Sequence, residues 1–202
     1  MSELTNLKQE LINLATSTDI GFNLTPEIKE KIESLAAEVE ALNPTPEPTK
    51  HLDLVEGRWR LLYSTFGLEK ETTLARLSFG KLPNVPISVN GIFQEVAAEN
   101  HQYNNLIEFN TSSGLPGIVV VNARYSITDE KRLTIDFLAT SVKSVNADLS
   151  DADFRAALGV EPDAVLESQL EFNGWSDVTY LDENLRLMRG NANNLYVLLR
   201  EN

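Results

Sequence analysis

Residues 56–66 read EGRWRLLYSTF and mark the point where the pattern of the chain changes. From Trp59 onward, apolar side chains recur at every second position, which is the spacing of a β-strand with one buried face. The side chains expected to share this face are Trp59, Leu61, Tyr63 and Thr65. The stretch therefore predicts the first strand of a β-structure.

Gly57 stands two residues before Trp59. At the start of a barrel's first strand, glycine allows a close approach of the entering chain, and tryptophan can fill the barrel floor. The indole face can then stack on a guanidinium from the last strands, which offer Arg189 and Arg200. This pattern is similar to the GxW signature of lipocalins and related small-ligand barrels. An ordinary core tryptophan is the alternative, because three residues recur by chance.

The residues before this stretch have the period of helices. Two apolar stripes in residues 1–42 predict two amphipathic helices, and Thr25-Pro26 is a favourable start for the second. The proline-rich residues 43–48 end that helix and form a stiff connector. We expect a helical extension and connector over residues 1–50, packed on a β-domain over residues 51–202.

The residues after it predict many short strands and one late helix. Ser150 as a cap and Gly159 as a stop predict a short helix between them. Without long helices between strands, the fold class is mainly β: an antiparallel lipocalin-like β-barrel with two N-terminal helices and one short inserted helix. The predicted strands are 57–66, 72–79, 89–98, 103–110, 117–128, 131–139, 165–172, 177–182, 185–190 and 194–200.

Composition excludes several classes of function. The 202 residues carry a formal net charge of -13, which repels nucleic acid and argues against a basic patch for anionic lipids. Contact with a membrane through apolar side chains is left open. There is no cysteine, and the N-terminus has neither a signal-peptide nor a transit-peptide pattern. These features predict a chain that is not secreted, in a reducing compartment.

Motifs for catalysis, metals and cofactors are missing from the sequence. The two histidines, His51 and His101, are fifty positions apart and have no ligand-like spacing to a carboxylate. No GxSxG elbow, GxGxxG or P-loop occurs. We therefore predict no metal, no cofactor and no enzyme activity. A small isomerase or hydrolase with Asp136 or Asp182 as base is the third hypothesis.

The C-terminal residues 180–190, YLDENLRLMRG, followed by NLYVL at 194–198, resemble the motif of the plastid lipid-associated protein/fibrillin family. Residues 54–64 and 90–94 are similar to that family's first-strand and central blocks. The turn Asn191-Ala192-Asn193 departs from the aspartate and glycine common there. The resemblance implies a lipocalin-like barrel at the periphery of thylakoids or at lipid bodies, in a cyanobacterial-type or trimmed plastid member. It also implies binding of carotenoids, prenylquinones or other lipids.

Aromatic and aliphatic side chains on the expected inner face are the candidates for binding a hydrophobic small molecule. Either they line a cavity, or they fill the barrel as ordinary core. A filled barrel would make the protein a structural module that docks protein partners at the photosynthetic membrane. The candidate ligand-binding residues are Tyr63, Thr65, Phe93, Phe109, Tyr125, Ile135, Phe137, Tyr180 and Leu187. The candidates for barrel closure are Gly57, Trp59, Asp182, Arg189 and Arg200.

Overall fold

The computed structural model describes residues 3–201. The α-helices are α1 (Glu3–Ser17), α2 (Pro26–Ala41), α3 (Leu52–Val55), α4 (Leu74–Leu77) and α5 (Asp151–Leu158), and 3₁₀ turns span Pro48–Lys50 and Asn191–Asn193. The strands are β1 (Gly57–Ser64), β2 (Glu71–Thr73), β3 (Pro86–Ala97), β4 (Gln102–Thr111), β5 (Pro116–Ile127), β6 (Arg132–Ser144), β7 (Glu167–Leu181), β8 (Leu185–Gly190) and β9 (Leu195–Glu201).

The nine strands form one antiparallel sheet with a ring-like arrangement. Its order is β1-β9-β8-β7-β6-β5-β4-β3-β2, and β1 also pairs with β3. The first half of β1 lies against the second half of β3, with Trp59 opposite Gln94, whereas β2 pairs with the start of β3. The sheet therefore returns to its own first strand, and β2 lies outside the ring.

Buried apolar side chains inside the ring form one cluster, which we call the inner cluster. It includes Trp59, Leu61, Ile92, Phe109, Val121, Ile135, Met188 and Leu198. Helix α5 adds Phe154 and Leu158 to it. The Ser150 hydroxyl caps this helix by accepting from the Asp153 amide at 3.2 Å, and Gly159 ends it in the left-handed conformation, as the sequence predicts.

Helices α1 and α2 pack on the opposite face of the sheet. The Thr25 hydroxyl caps α2, as expected, by accepting from the Ile28 amide at 3.3 Å. The helix-facing cluster consists of Leu11, Ala15, Ile32, Leu35, Ala36, Val39, Leu62, Tyr63, Tyr180, Leu185, Leu187, Leu195 and Val197. The two stripes read from the sequence thus cover strands β1, β7, β8 and β9.

Two strand predictions were wrong. Residues 72–79 give only the short β2, because the Thr73 hydroxyl accepts from the Arg76 amide at 3.2 Å and starts helix α4. Strand β7 is continuous over Glu167–Leu181, although two separate strands, 165–172 and 177–182, were predicted there. Gly174 instead lies opposite Ile135 on β6, where its missing side chain leaves room for the Phe137 ring.

A β-bulge in β1 decides which side chains face the interior. The pairing with β9 passes from Leu61–Leu198 to Tyr63–Val197, so Leu62 is the extra residue. Such an insertion reverses the faces of the residues that follow it. Trp59 and Leu61 therefore belong to the inner cluster, and Tyr63 belongs to the helix-facing cluster. The prediction that Tyr63 shares one face with Trp59 and Leu61 was therefore wrong.

Two ion pairs of Arg189, with Glu33 and Glu40, link α2 to β8. Arg189 donates to Glu33 at 2.7 Å and to Glu40 at 3.0 Å, and its side chain is only 14% exposed. Hydrogen bonds from Arg189 to Glu40 and Glu33 raise the pKa of Arg189 although burial acts to lower it. The group links the helical layer to the sheet through two partly buried carboxylates.

Replacing Arg189 with methionine is expected to lower the free energy of unfolding by about 2 kcal/mol, because two partly buried carboxylates lose a charged donor. Urea denaturation measures the change. Lys31→Met is the matched control, since Lys31 pairs with Glu10 on an exposed surface and should change the value by less than about 0.5 kcal/mol. Equal effects of the two substitutions would contradict the assignment.

Asp182 joins the start of β8 to α1. It accepts from the Asn184 amide at 2.9 Å, the Leu185 amide at 2.8 Å, the Tyr180 hydroxyl at 2.6 Å and the Lys8 ammonium. Burial acts to raise the pKa of Asp182, but these hydrogen bonds outweigh it and hold the pKa below the usual value of 3.8. The ionised carboxylate is thus the form that the fold stabilises.

The lowered pKa of Asp182 makes a stabilising contribution that is present above pH 3.8 and is lost as the pH falls through the lower, folded-state value. Asp182→Asn is expected to remove this part of the pH dependence. Urea denaturation between neutral pH and about pH 3 measures it. At neutral pH, Asp182→Asn should be destabilised more than Asp148→Asn, which changes an exposed carboxylate. Between neutral pH and about pH 3, Asp182→Asn should lose less stability than the wild type does. If the stability of wild type and Asp182→Asn falls in parallel with pH, the prediction is wrong.

Candidate ligand-binding site

Two adjoining cavities open inside the ring near the end of β1. Their volumes are about 270 Å³ and about 190 Å³. The residues that line both are Phe66, Phe79, Gln94, Asn105, Phe137 and Tyr196. The first cavity extends between β4, β7 and β8, and the second lies between β1 and β3, beside Leu61 and Ile92. We treat them as two chambers of one site.

Phenylalanines surround the mouth of these chambers. Phe66, Phe79 and Phe172 line the site, yet they are 54%, 49% and 39% exposed. The Phe79 and Phe172 rings lie 4.7 Å apart, edge to face, and Phe172 stacks on Phe137 at 4.8 Å. Phe79 has a left-handed backbone conformation (φ 57), which is costly for a bulky residue. Exposed aromatics held in place at a cavity mouth suit contact with an apolar molecule or surface.

The walls of the site combine apolar side chains with a small polar region. Gln94 donates to the Asn105 side chain at 3.1 Å, and both line the two chambers. The buried Tyr103 and Ser176 add hydroxyls to the first chamber. Burial raises the pKa of Tyr103 to about 12, so its hydroxyl is protonated at neutral pH and can donate a hydrogen bond. Few polar groups among apolar walls are typical of small-molecule pockets.

The guanidinium groups of two arginines lie over the ring of the buried Trp59. The Arg186 and Arg200 guanidinium carbons lie 4.6 Å and 4.3 Å from the ring centroid. The indole nitrogen donates to the Val55 carbonyl at 2.9 Å. A Cβ on Gly57 would lie 2.5 Å from an Arg200 nitrogen, so glycine allows this approach. Arg200 is one of the two arginines expected here, and Arg186 was not anticipated.

The expected role of Arg189 in barrel closure needs correction. Arg189 lies on the helix side of β8 and binds α2, because side chains alternate along β8 and Arg186 takes the inner position. Asp182 accepts from the Asn184 and Leu185 amides in the turn before β8 and binds Lys8 and Tyr180 on the helix side. Asp136, the alternative catalytic base, is exposed, and neither carboxylate lines the cavities.

Some predicted ligand residues lie at the cavities. Ile135 lines the first chamber, Phe137 lines both, and Phe93 lines the second. The Phe93 ring, however, lies on the outer face of β3, on the same side as the exposed Arg60, and the Arg58 guanidinium covers it at 4.3 Å. Phe109 and Tyr125 are buried in the inner cluster away from the chambers.

Other predicted ligand residues lie outside the interior, and their placement corrects the prediction. Tyr63, Tyr180 and Leu187 are buried under α1 and α2 in the helix-facing cluster. The bulge at Leu62 turns Tyr63 outward, and a second irregularity in β7–β8 pairing lies between Val178 and Tyr180. Thr65 accepts from the Leu195 amide at 2.9 Å and holds the end of β9.

Sequence reasoning missed several residues of the site. Phe172 was not selected from its strand. Gln94, Asn105 and Tyr103 are inward polar or amphipathic residues on β3 and β4. Alternation in the run LRLMRG places Arg186 and Met188 on one face and Arg189 on the other, and only the structure shows that the face of Arg186 is the inner one.

The described part of the chain holds neither a cluster of metal-binding side chains nor a membrane-spanning helix. Among residues 3–201, no three metal-binding side chains of the histidine, aspartate or glutamate type come together as a metal site would require. Over the same residues, the helices are too short or too polar to cross a bilayer.

Several plastid proteins are similar to this chain along almost its whole length. The chain is 30% identical to a plastid-lipid-associated protein of Citrus unshiu, over 100% of this chain and 69% of that protein. It is 27% identical to a chromoplast-specific carotenoid-associated protein of Cucumis sativus, over 99% and 69%. It is 26% identical to the probable plastid-lipid-associated protein 2 of Arabidopsis thaliana, over 100% and 72%. No solved structure matches the chain. The PAP_fibrillin family model matches residues 5–199, and the chain therefore belongs to this family of plastid lipid-associated proteins and fibrillins.

Proposed function

We propose that the ring of strands is a lipocalin-like barrel that binds or carries a hydrophobic small molecule without catalysing a reaction. The observation that carries this proposal is the mouth of the cavities, where Phe66, Phe79 and Phe172 are exposed around an apolar interior. Moving apolar ligand surface from water into this interior stabilises the complex by about 25 cal/mol per Å² of buried surface. The candidate ligands are a carotenoid, a prenylquinone or another lipid.

Cavity size favours a ligand that is only partly enclosed. Chambers of about 270 Å³ and 190 Å³ lie below or near the lower end of the range of roughly 300–1,000 Å³ for ligand pockets. A long-chain molecule would place one end in the chambers and the remainder against the exposed phenylalanines. The same phenylalanines would give peripheral contact with a membrane surface from which the ligand is taken.

The relatives support this choice of ligand and place. Their names record lipid association in Citrus unshiu and carotenoid association in Cucumis sativus, in chloroplasts and chromoplasts. We extend these properties to this chain as part of the proposal, with the periphery of a photosynthetic membrane as its location.

The test is to add β-carotene, decyl-plastoquinone or a galactolipid to delipidated protein and to follow thermal unfolding and tryptophan fluorescence. A ligand at about 100 times its Kd should raise Tm by roughly 5–10 °C. A carotenoid should also quench Trp175, which lines the first chamber. In Trp175→Phe, quenching should decrease while the rise in Tm remains. No Tm shift and no quenching with any of the three compounds would refute the proposal.

The alternative is a protein-docking module with a filled barrel. It predicts no room for a ligand, whereas two cavities adjoin here. Deleting residues 1–42 cannot separate the two functions, because α1 and α2 bury the helix-facing cluster and the deletion would expose the sheet. Ligand titration of the full chain is the better test.

A further inference from the structure

We propose that the first chamber selects an amphiphile with a single carboxylate head on an apolar chain, for which Arg186 supplies the opposite charge. This inference rests on the function proposed above and names the chemical class of ligand. It starts from Arg186, whose side chain is fully buried among the apolar residues of the ring.

Arg186 has no acidic partner among residues 3–201. Its guanidinium donates to the Val55 carbonyl at 3.3 Å and to the Gln94 side chain, and its Nε has no hydrogen-bond partner. Burial lowers the pKa of Arg186 to about 10, which leaves it charged at neutral pH. A buried guanidinium without a carboxylate is costly, because hydration is lost and no opposite charge replaces it.

A second positive charge lies close by. Arg200 covers the other face of Trp59 and donates only to the backbone carbonyls of Glu183, Glu56 and Leu54. Two guanidinium groups flank one indole, and neither makes a salt bridge within the described chain. Glu56 and Glu183 offset the charge on Arg200, whereas Arg186 has no carboxylate beside it among residues 3–201, so its positive charge is the unbalanced one.

Gln94 and Tyr103 connect Arg186 to the first chamber, which both of them line. Gln94 accepts from Arg186 and donates to Asn105 at 3.1 Å. The Tyr103 hydroxyl lies beside Gln94 and Ser176, and the Met188 sulfur, a weak acceptor, lies 4.0 Å from it. A carboxylate accepts strong hydrogen bonds from hydroxyl groups when a positive charge lies close behind them.

The chemistry of the chamber favours one negative charge and an apolar chain. A phosphate monoester carries about 1.5 to 2 negative charges at neutral pH, which is more than Arg186 balances, because the charge on Arg200 is already offset by Glu56 and Glu183. The outer part of the chamber is lined by Ile135, Phe137 and Phe172, which suit hydrocarbon. A neutral head group would gain only an ion–dipole interaction with Arg186, which is weaker than the attraction between opposite charges.

The test compares hexadecanoate, hexadecanol and hexadecyl phosphate as competitors of an apolar fluorescent probe, at neutral pH and below their micelle concentrations. We expect hexadecanoate to bind the full chain about tenfold more tightly than hexadecanol and more tightly than the phosphate. Arg186→Met should abolish the preference for the acid, and Tyr103→Phe should reduce it. Arg189→Met should keep it, because that arginine is on the helix side of the same strand.

Each outcome decides the proposal. Equal affinity for acid and alcohol, or tighter binding of the phosphate, overturns it while leaving hydrophobic ligand binding intact. A preference that persists in Arg186→Met overturns it as well. If that variant does not fold, Tyr103→Phe decides in the same way, since it leaves Arg186 in place. If neither the probe nor any of the amphiphiles, carotenoids or quinones binds, the proposed function itself is wrong.

Discussion

Replacing Trp59 with alanine is expected to lower the free energy of unfolding by about 3–5 kcal/mol, a loss of roughly 10 °C in Tm. Trp59 is fully buried, lies between two guanidinium groups and donates to the Val55 carbonyl. The substitution leaves a cavity at the pairing of β1 with β3 and exposes both charges to each other. Calorimetry or urea denaturation measures the change.

Trp175→Ala is the matched control for this substitution. Trp175 is half-buried and stacks on one guanidinium, that of Arg132, at 4.0 Å. Its removal should cost about 1–2 kcal/mol, since less area and a single cation–π contact are lost. If the two alanine variants unfold at the same temperature, Trp59 does not have the closing role assigned to it.

The double substitution Phe79→Ser and Phe172→Ser is expected to weaken binding to neutral lipid vesicles by about tenfold or more. The two rings are 49% and 39% exposed and lie together at the cavity mouth. Burying the exposed part of each in lipid contributes on the order of 1 kcal/mol, and about 1.4 kcal/mol is tenfold in affinity. Neutral vesicles are the suitable probe, because the net charge of -13 opposes anionic ones.

Vesicle flotation with Val145→Ser and Val165→Ser provides the control. These valines are 60% and 52% exposed, and they line neither chamber. The control variant should bind vesicles as the wild type does. An equal loss in both double variants would show that general surface hydrophobicity, and not the phenylalanine mouth, attracts lipid.

Much of the sheet could be predicted from alternation and turn residues. The helical stripes, the cap at Thr25 and the helix from Ser150 to Gly159 all have local causes that the sequence displays. The bulge at Leu62 does not, because one extra residue is stabilised by pairing with β9 and not by its neighbours in sequence. The continuous β7 has the same explanation, since β6 pairs with it on both sides of Gly174.

The site was less predictable than the sheet. Ile135 and Phe137 were identified because they alternate regularly along β6, whereas Phe93 does not share the inner face of β3 with Ile92 and Val96. Tyr63, Tyr180 and Leu187 were assigned to the wrong face, because the face of a residue beyond a bulge depends on the partner strand. Sequence alone also cannot show whether Arg186 or Arg189 faces the interior, because the register of β8 against its partner strands is not known.

The pairing of β1 with β3 has a consequence for hydrogen exchange. Only residues 57–60 of β1 join β3, whereas β5 and β6 pair along almost their whole length. Beyond Arg60 the two strands separate, and the second chamber lies behind that separation. The ring can therefore widen between β1 and β3 with the loss of few backbone hydrogen bonds. The amide protons that join β1 to β3 should exchange with solvent well before those of β5 and β6.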